Sequence, residues 1–291
     1  MGNWRRKHRS CLGKVILIAH PFCKYAGGKS QLLSELLPRV PKVFRHYHEP
    51  CVGGGALFFA LAAEGRIPSV ARLSDASQRL IRTYHAVQCN VEALIARLST
   101  MPFEKDFYYT TRALDMDAPG VTDLDVAAWF IYLNKTAYNG MYRVNKSGGF
   151  NVPMGRYDNP TICDAENLRA CASVLRSIKT EIYCMRFQES FEYVRSGDFV
   201  FIDPPYLPLS KTSDFTSYTP EKFKLADHEQ LRDGILALKK RGAYVLHTNS
   251  SAPEIRELYS GPDFHVEEVT ARRSVNSKAD KRGAVVELVI T

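Results

Sequence analysis

The chain has no Cys-x-x-Cys pair, and its seven cysteines (Cys11, Cys23, Cys51, Cys89, Cys163, Cys171, Cys184) are odd in number. No group of cysteines and histidines has zinc-site spacing, so no structural metal is expected, and reduced thiols in a cytoplasmic protein are. Long apolar runs are also missing. The longest uncharged one, Cys51 to Ala63, has 13 residues, whereas a membrane-spanning helix needs about 20. The basic residues Arg5, Arg6, Lys7 and Arg9 are followed by no apolar segment of secretory-signal length. A soluble protein without membrane partners is expected. There is no internal repeat and no low-complexity stretch. Acidic residues are the scarcer charge, 31 against 39 Lys and Arg, for a formal net charge of +8. This surplus suits a polyanionic partner such as nucleic acid, although generic basic solubility would produce it too.

What is present divides unevenly. At 291 residues the chain can hold one sizeable domain, or one domain with a large insertion. Val15 to Ile18 reads as a strand, followed by a helical pattern with Leu32, Leu33, Leu36 and Leu37 on one face, stopped near Pro38. A short strand around Phe44 to His48 runs into Glu49-Pro50-Cys51-Val52-Gly53-Gly54-Gly55. Ala56 to Ala63 then reads as a helix, and Val70 to Leu73 as a strand ending at Ser74-Asp75. Helical patterns dominate the next stretch, at Leu80 to Val87, Val91 to Leu98 and Val126 to Leu133. Met141 to Asn145 can pair with Phe150 to Val152 across Lys146-Ser147-Gly148-Gly149. Strands are expected at 181–185, 198–202 and 243–247, and a terminal hairpin at 264–270 with 283–290. The fold class is therefore α/β: a doubly wound, Rossmann-like sheet with a C-terminal β-hairpin, split by a mainly helical insert carrying a β-hairpin. The expected boundaries are 1–77 and 166–291 for the split core and 78–165 for the insert.

Two constellations carry chemistry. Glycines between a strand and a helix let backbone approach a ligand, although a tight structural turn needs them as well. Asp75, twenty residues after Gly55, stands where an acid can accept from both ribose hydroxyls. Ala26-Gly27-Gly28-Lys29-Ser30 resembles a phosphate-binding loop, but that motif needs glycine at 23, which is Cys23. A lysine and an aromatic near the glycine turn suit a ligand with an adenine ring and a carboxylate; S-adenosylmethionine has both. The second constellation is Asp203-Pro204-Pro205-Tyr206, directly after the apolar run Phe199 to Ile202. Two prolines leave carbonyl acceptors and few donors, the aspartate adds a charged acceptor, and the tyrosine a flat wall. That pocket complements an amino group on a planar ring.

From Ile131 to Tyr157 there are four basic residues (Lys135, Arg143, Lys146, Arg156) and no acid, interleaved with Tyr132, Tyr138, Tyr142, Phe150 and Tyr157. Such a segment fits a nucleic-acid groove; a solvated surface hairpin would also have this pattern. Arg272, Arg273, Lys278, Lys281 and Arg282 form a second basic stretch suited to clamping a phosphate backbone.

In order along the chain, Lys24 to Lys29, Glu49 to Gly55, Tyr132 to Lys135, Tyr138-Asn139-Gly140, Arg143, Phe150 to Tyr157, Asp203 to Tyr206, Phe215 to Tyr218 and Arg272-Arg273-Ser274 resemble the motifs of the Dam family of DNA adenine methyltransferases. The resemblance covers about residues 18–291. It implies methylation of adenine N6 in double-stranded DNA, at GATC, with S-adenosylmethionine as donor and no metal. Asp203, Pro204, Pro205 and Tyr206 match the catalytic positions. Tyr25, Lys29, Glu49, Gly53, Gly55, Asp75 and Asp203 match positions that hold the donor. Lys24, Tyr138, Asn139, Met141, Arg143, Pro153 and Tyr157 match positions that read or wedge the DNA. Tyr25 stands where the family usually has Trp, Cys51 where it usually has Phe, and Ser77 where Asn is frequent. A monomer in the cytoplasm, on the nucleoid when bound to DNA, is the accompanying expectation. Other open readings are a longer or different site within a restriction–modification system, another amino group (cytosine N4, RNA adenine, a glutamine amide), and a DNA-binding regulator without catalysis.

Overall fold

Short apolar runs covered on both faces build a seven-stranded sheet. The computed structural model describes residues 8–9, 15–16, 18–25, 27–145, 147–207, 223–272 and 284–291. The strands are β1 (Tyr47–Glu49), β2 (Val70–Asp75), β3 (Lys179–Cys184), β4 (Phe199–Ile202), β5 (Tyr244–Ser250), β6 (Val266–Arg272) and β7 (Ala284–Ile290). They lie in the order β3-β2-β1-β4-β5-β7-β6. β7 runs antiparallel to both neighbours, and the other pairings are parallel. Strand order reverses between β1 and β4. In an open α/β sheet the crevice at the carboxyl ends of such strands is the natural ligand site.

Alternation along β4 shows how the sheet is buried. Phe199 and Phe201 join the larger apolar core on one face, while Val200 and Ile202 join a second core on the other. The second core is closed by Phe187 and Phe191, by Leu231, Ile235 and Leu238 of the helix Leu225–Lys240, and by Ile255. The larger core continues without a break from Tyr47 and Leu73 into the helices Gln78–Cys89, Val91–Ser99 and Asp123–Thr136. The last of these begins in a capping box: Thr122 Oγ1 accepts from the Asp125 N–H, and Asp125 accepts from the Thr122 N–H. It is buried almost all round, so it acts as the central post of this region.

Three local expectations differ from the structure. Among the described residues, Val15–Ile16 pairs with His8–Arg9 in a separate two-stranded ladder rather than in the main sheet. A 3-10 turn over Lys29–Gln31 precedes the Leu32 to Leu37 pattern, which forms only a four-residue α-helix, Leu33–Leu36, before a second 3-10 turn holding Pro38 ends it. Between 141 and 152 the expected arms pair only briefly, through the Val144–Phe150 bridge and the flanking Asn145 N–H to Gly149 and Asn151 N–H to Arg143 bonds. The turn is instead organised by Asn145, whose Oδ1 accepts from the Ser147 and Gly149 N–H groups. Among the described residues no helix is long and apolar enough to cross a membrane.

Candidate active site

The glycine turn after β1 is fixed from both sides. Gly53 and Gly55 have φ of 47° and 67°, left-handed values. A Cβ on Gly53 would stand 2.9 Å from Tyr25 Cδ1, and one on Gly55 2.7 Å from the Tyr84 hydroxyl. Both positions require glycine. Tyr84 donates to the Gly53 carbonyl at 3.1 Å, while Asp75 at the end of β2 accepts from the Gly53 and Ser77 N–H groups at 3.1 and 2.9 Å. Burial pushes the Asp75 pKa up, and its backbone hydrogen bonds oppose that. The result is side-chain-free backbone beside an acid and an aromatic ring.

Glu49, at the end of β1, is buried and accepts a 2.8 Å bond from the Tyr47 hydroxyl. Burial raises its pKa to about 8, with Asp203 and Asp75 adding to the rise. Lys29 is only 3% exposed. Its Nζ lies 2.8 Å from Asp203 Oδ1 and 3.7 Å from Glu287 Oε2. The same ammonium sits 4.6 Å from the centre of the Tyr206 ring and donates to the Gly27 carbonyl. One buried cation therefore joins the 24–30 loop to the end of β4 and the middle of β7.

Asp203 also accepts a 2.8 Å bond from Thr248 Oγ1 on β5. Tyr206 donates to Glu287 at 2.7 Å, and burial, with the negative charges of Asp203 and Glu287, pushes its phenol pKa well up. Pro204 is buried and Pro205 exposed. Behind the motif, His247 Nδ1 donates to the Ile202 carbonyl at 3.0 Å, and the Asn249 amide nitrogen lies 3.3 Å from both His228 and His247. Burial lowers these histidines to about 3 (His247) and about 4 (His228), so both are neutral wedges at physiological pH.

A second cluster gathers around the end of the Asp123–Thr136 helix. Buried Asn134 accepts from the Lys24 N–H and donates to the Lys24 carbonyl, both at 2.7 Å, and to Gly140 at 3.3 Å. Tyr138 donates its N–H to Pro153, the Met141 N–H bonds Tyr138, and the Tyr157 hydroxyl bonds the Ala137 carbonyl. Asn139, at φ 55°, is the one non-glycine residue with positive φ among those described. Lys24, Tyr138, Asn139, Met141, Pro153 and Tyr157 are thus assembled in one place. The dipeptide Lys24-Tyr25 links that place to the glycine turn. Arg143 is held separately, its Nε donating to Asn151 at 2.7 Å. Lys135 is half-buried, and burial lowers its pKa from the ordinary lysine value. Lys146, the segment 215–218 and the basic residues from Arg273 to Arg282 lie outside the described residues.

Sequence reasoning missed Thr248, Glu287, Tyr84 and Tyr47. Of these only Glu287 had a local signal, an acid inside the apolar run Val285 to Ile290.

Comparison with known proteins places this geometry in a family. The model of the D12 class N6 adenine-specific DNA methyltransferases matches residues 25–275. A type II methyltransferase from Lactococcus lactis subsp. cremoris is 38% identical over 275 residues, covering 93% of this chain and 94% of that protein. A type II methyltransferase from Methanocaldococcus jannaschii is 41% identical over 287 residues, covering 93% and 98%. A DNA adenine methylase from Haemophilus influenzae is 31% identical over 274 residues, covering 92% of each chain.

Proposed function

The chain belongs to the D12 class of N6 adenine-specific DNA methyltransferases, and from that premise we propose that it methylates adenine at GATC in duplex DNA. In this reading S-adenosylmethionine is the donor, and the base is turned out of the helix into the pocket at Asp203 to Tyr206. The observation that carries the reading is the meeting of Asp203, Thr248, Lys29 and Tyr206 at the carboxyl end of β4, next to the glycine turn and Asp75.

The residues fit that donor. The turn at Gly53 and Gly55 excludes side chains where a nucleoside would lie, Asp75 offers acceptors to ribose hydroxyls, and Tyr25 flanks the turn. Lys29 provides a buried cation for a carboxylate, and Glu49 completes the wall. When bound, the donor supplies an electrophilic methyl group on sulfur.

Adenine's N6 lone pair is delocalised into its ring and is a poor nucleophile. Asp203 and the Pro204 carbonyl would accept both N6 hydrogens, favouring a tetrahedral nitrogen with a localised lone pair. Positive charge then develops on N6 during attack, and the Asp203 carboxylate stabilises it. The proton leaves after transfer. Tyr206 stacks on the base. None of this is reachable in a stacked duplex, so the base is extruded. Holding both reactants in line removes the entropic cost of their encounter.

Residues 78–165 are the DNA-reading part in this proposal, set into a catalytic core of 1–77 and 166–291. Tyr138 and Asn139 fill the gap left by the extruded base, and Arg143 reads a guanine. The test is methylation of unmodified plasmid, followed by digestion with GATC-cleaving nucleases of opposite methylation sensitivity. Protection confined to other sites would reject GATC. The two relatives named type II methyltransferases favour a second reading, a longer or different adenine site paired with a restriction nuclease. Sequencing of methylated positions separates the two.

A further inference from the structure

Glu287 lies in β7, outside every motif that marks the family in this chain. It is the single charged residue in the run Val285 to Ile290, and pairs antiparallel with Ser250 of β5. Its side chain is 16% exposed, so its desolvation is costly unless partners compensate it. Those partners are functional groups. Oε2 takes the 2.7 Å bond from the Tyr206 hydroxyl and faces Lys29 Nζ at 3.7 Å. Tyr206 follows two prolines, which offer no N–H to anchor the chain before it. The bond to Glu287 pins the far end of the ring. A phenol O–H lies in the ring plane, so the same bond restrains the tilt of the stacking face.

We propose that Glu287 is a positioning residue for methyl transfer, holding the Tyr206 ring as the wall for the target adenine. The inference rests on the base-flipping reading above.

The test uses the full chain with S-adenosylmethionine and duplex DNA, comparing wild type, Glu287→Ala, Glu287→Gln, Tyr206→Phe and the double variant Tyr206→Phe/Glu287→Ala. Glu287→Ala is expected to lower kcat about tenfold, the loss of a hydrogen bond to a charged group, while KM for DNA changes little. Tyr206→Phe keeps the ring and loses the hydroxyl, so it should lose as much, and the double variant no more than either. Glu287→Gln, which still accepts from the phenol, should recover most of the rate. With donor product bound, fluorescence of 2-aminopurine at the target position should respond less to Glu287→Ala and Tyr206→Phe than to wild type, and equally so. If Glu287→Ala does not fold, Glu287→Met takes its place, being similar in size without an acceptor.

Unchanged kcat in Glu287→Ala, or losses that multiply in the double variant, would overturn the inference. Failure of the wild type to methylate adenine removes the base-flipping reading and this inference together. An active wild type with a silent Glu287→Ala removes the inference alone.

Discussion

Lys29 Nζ lies 2.8 Å from Asp203 Oδ1, so the cation of the 24–30 loop and the carboxylate that follows β4 form one ion pair at the centre of the candidate site. Lys29 is almost fully buried, and Asp203 is partly buried, its side chain 18% exposed. Removing one partner of such a pair leaves the other uncompensated, which is costlier than loss of an exposed pair. Both ligands of the proposed reaction therefore meet the same electrostatic unit, the donor's carboxylate through Lys29 and the adenine amino group through Asp203.

The first expected outcome concerns that carboxylate. Asp203→Ala should lower methyl transfer by about 100-fold or more, the scale of losing a group that stabilises charge in the transition state. Duplex affinity, which comes mainly from basic residues elsewhere, should stay near wild type. Incorporation of labelled methyl groups and a gel-shift titration measure the two. Normal labelling would reject the catalytic assignment.

Thr248→Val tests the support beneath it. The substitution keeps the shape of a buried side chain and deletes the 2.8 Å bond to Asp203. A fall of about tenfold in kcat is expected, since hydrogen bonds to charged groups contribute roughly 1.5–3 kcal/mol. Donor affinity by calorimetry should not change. A rise in KM at constant kcat would mean that Thr248 serves binding instead.

How far the chain announces this site depends on distance along the sequence. Gly53, Gly55 and Asp75 are legible because the turn and the next strand end follow one another locally. Asp203 is legible because its motif directly follows an apolar strand. Thr248 carries no such mark. It reaches Asp203 only because β5 runs parallel to β4 with Ile202 opposite His247, a register set by non-local pairing. Glu287 meets Tyr206 through the reversed strand β7 and its pairing with Ser250. The helix Lys105–Ala113 is missed for another reason: it buries only Tyr108 and Thr111, too few apolar positions to make a periodic pattern.

Asp75→Ala should weaken donor binding much more than DNA binding. Its carboxylate holds the Gly53 N–H and is the proposed acceptor for ribose hydroxyls, so both the cradle and the contact suffer. Calorimetric titration with S-adenosylhomocysteine is the check. Equal affinity for the variant and wild type would place the nucleoside elsewhere.

Glu49 makes the stability of the ligand-free protein depend on pH. Burial raises its pKa from 4.5 in the unfolded chain to about 8 when folded, and Asp203 and Asp75 add to the rise. Between those values the folded state binds the proton and the unfolded state does not. This contribution to stability is full below pH 4.5, falls as pH rises toward 8 and is gone above it. Glu49→Gln keeps an acceptor for the Tyr47 hydroxyl and removes the charge. Its melting temperature should exceed that of wild type at pH 8.5, with the difference narrowing toward pH 5. A difference independent of pH would mean that Glu49 does not titrate in this range.

Arg143 offers the most discriminating test of sequence recognition. Its Nε donates to Asn151 Oδ1 at 2.7 Å, and Asn151 returns a 3.1 Å backbone bond to the Arg143 carbonyl. In the proposed reading this clamp orients the guanidinium so that its terminal nitrogens meet the O6/N7 edge of a guanine, a contact that discriminates by roughly 1–3 kcal/mol. Arg143→Ala should therefore raise kcat/KM at sites altered at that one base, relative to GATC. Asn151→Ala should act in the same direction and more weakly, because it loosens the clamp without removing the donors. A phosphate contact behaves differently: Lys146→Ala should lower activity on all sequences alike and flatten the salt dependence. The measurement is kcat/KM on GATC against every single-base variant, for the three substitutions side by side. If Arg143→Ala lowers all sites uniformly, as Lys146→Ala is expected to, then Arg143 only positions the backbone, and GATC recognition must rest on other residues.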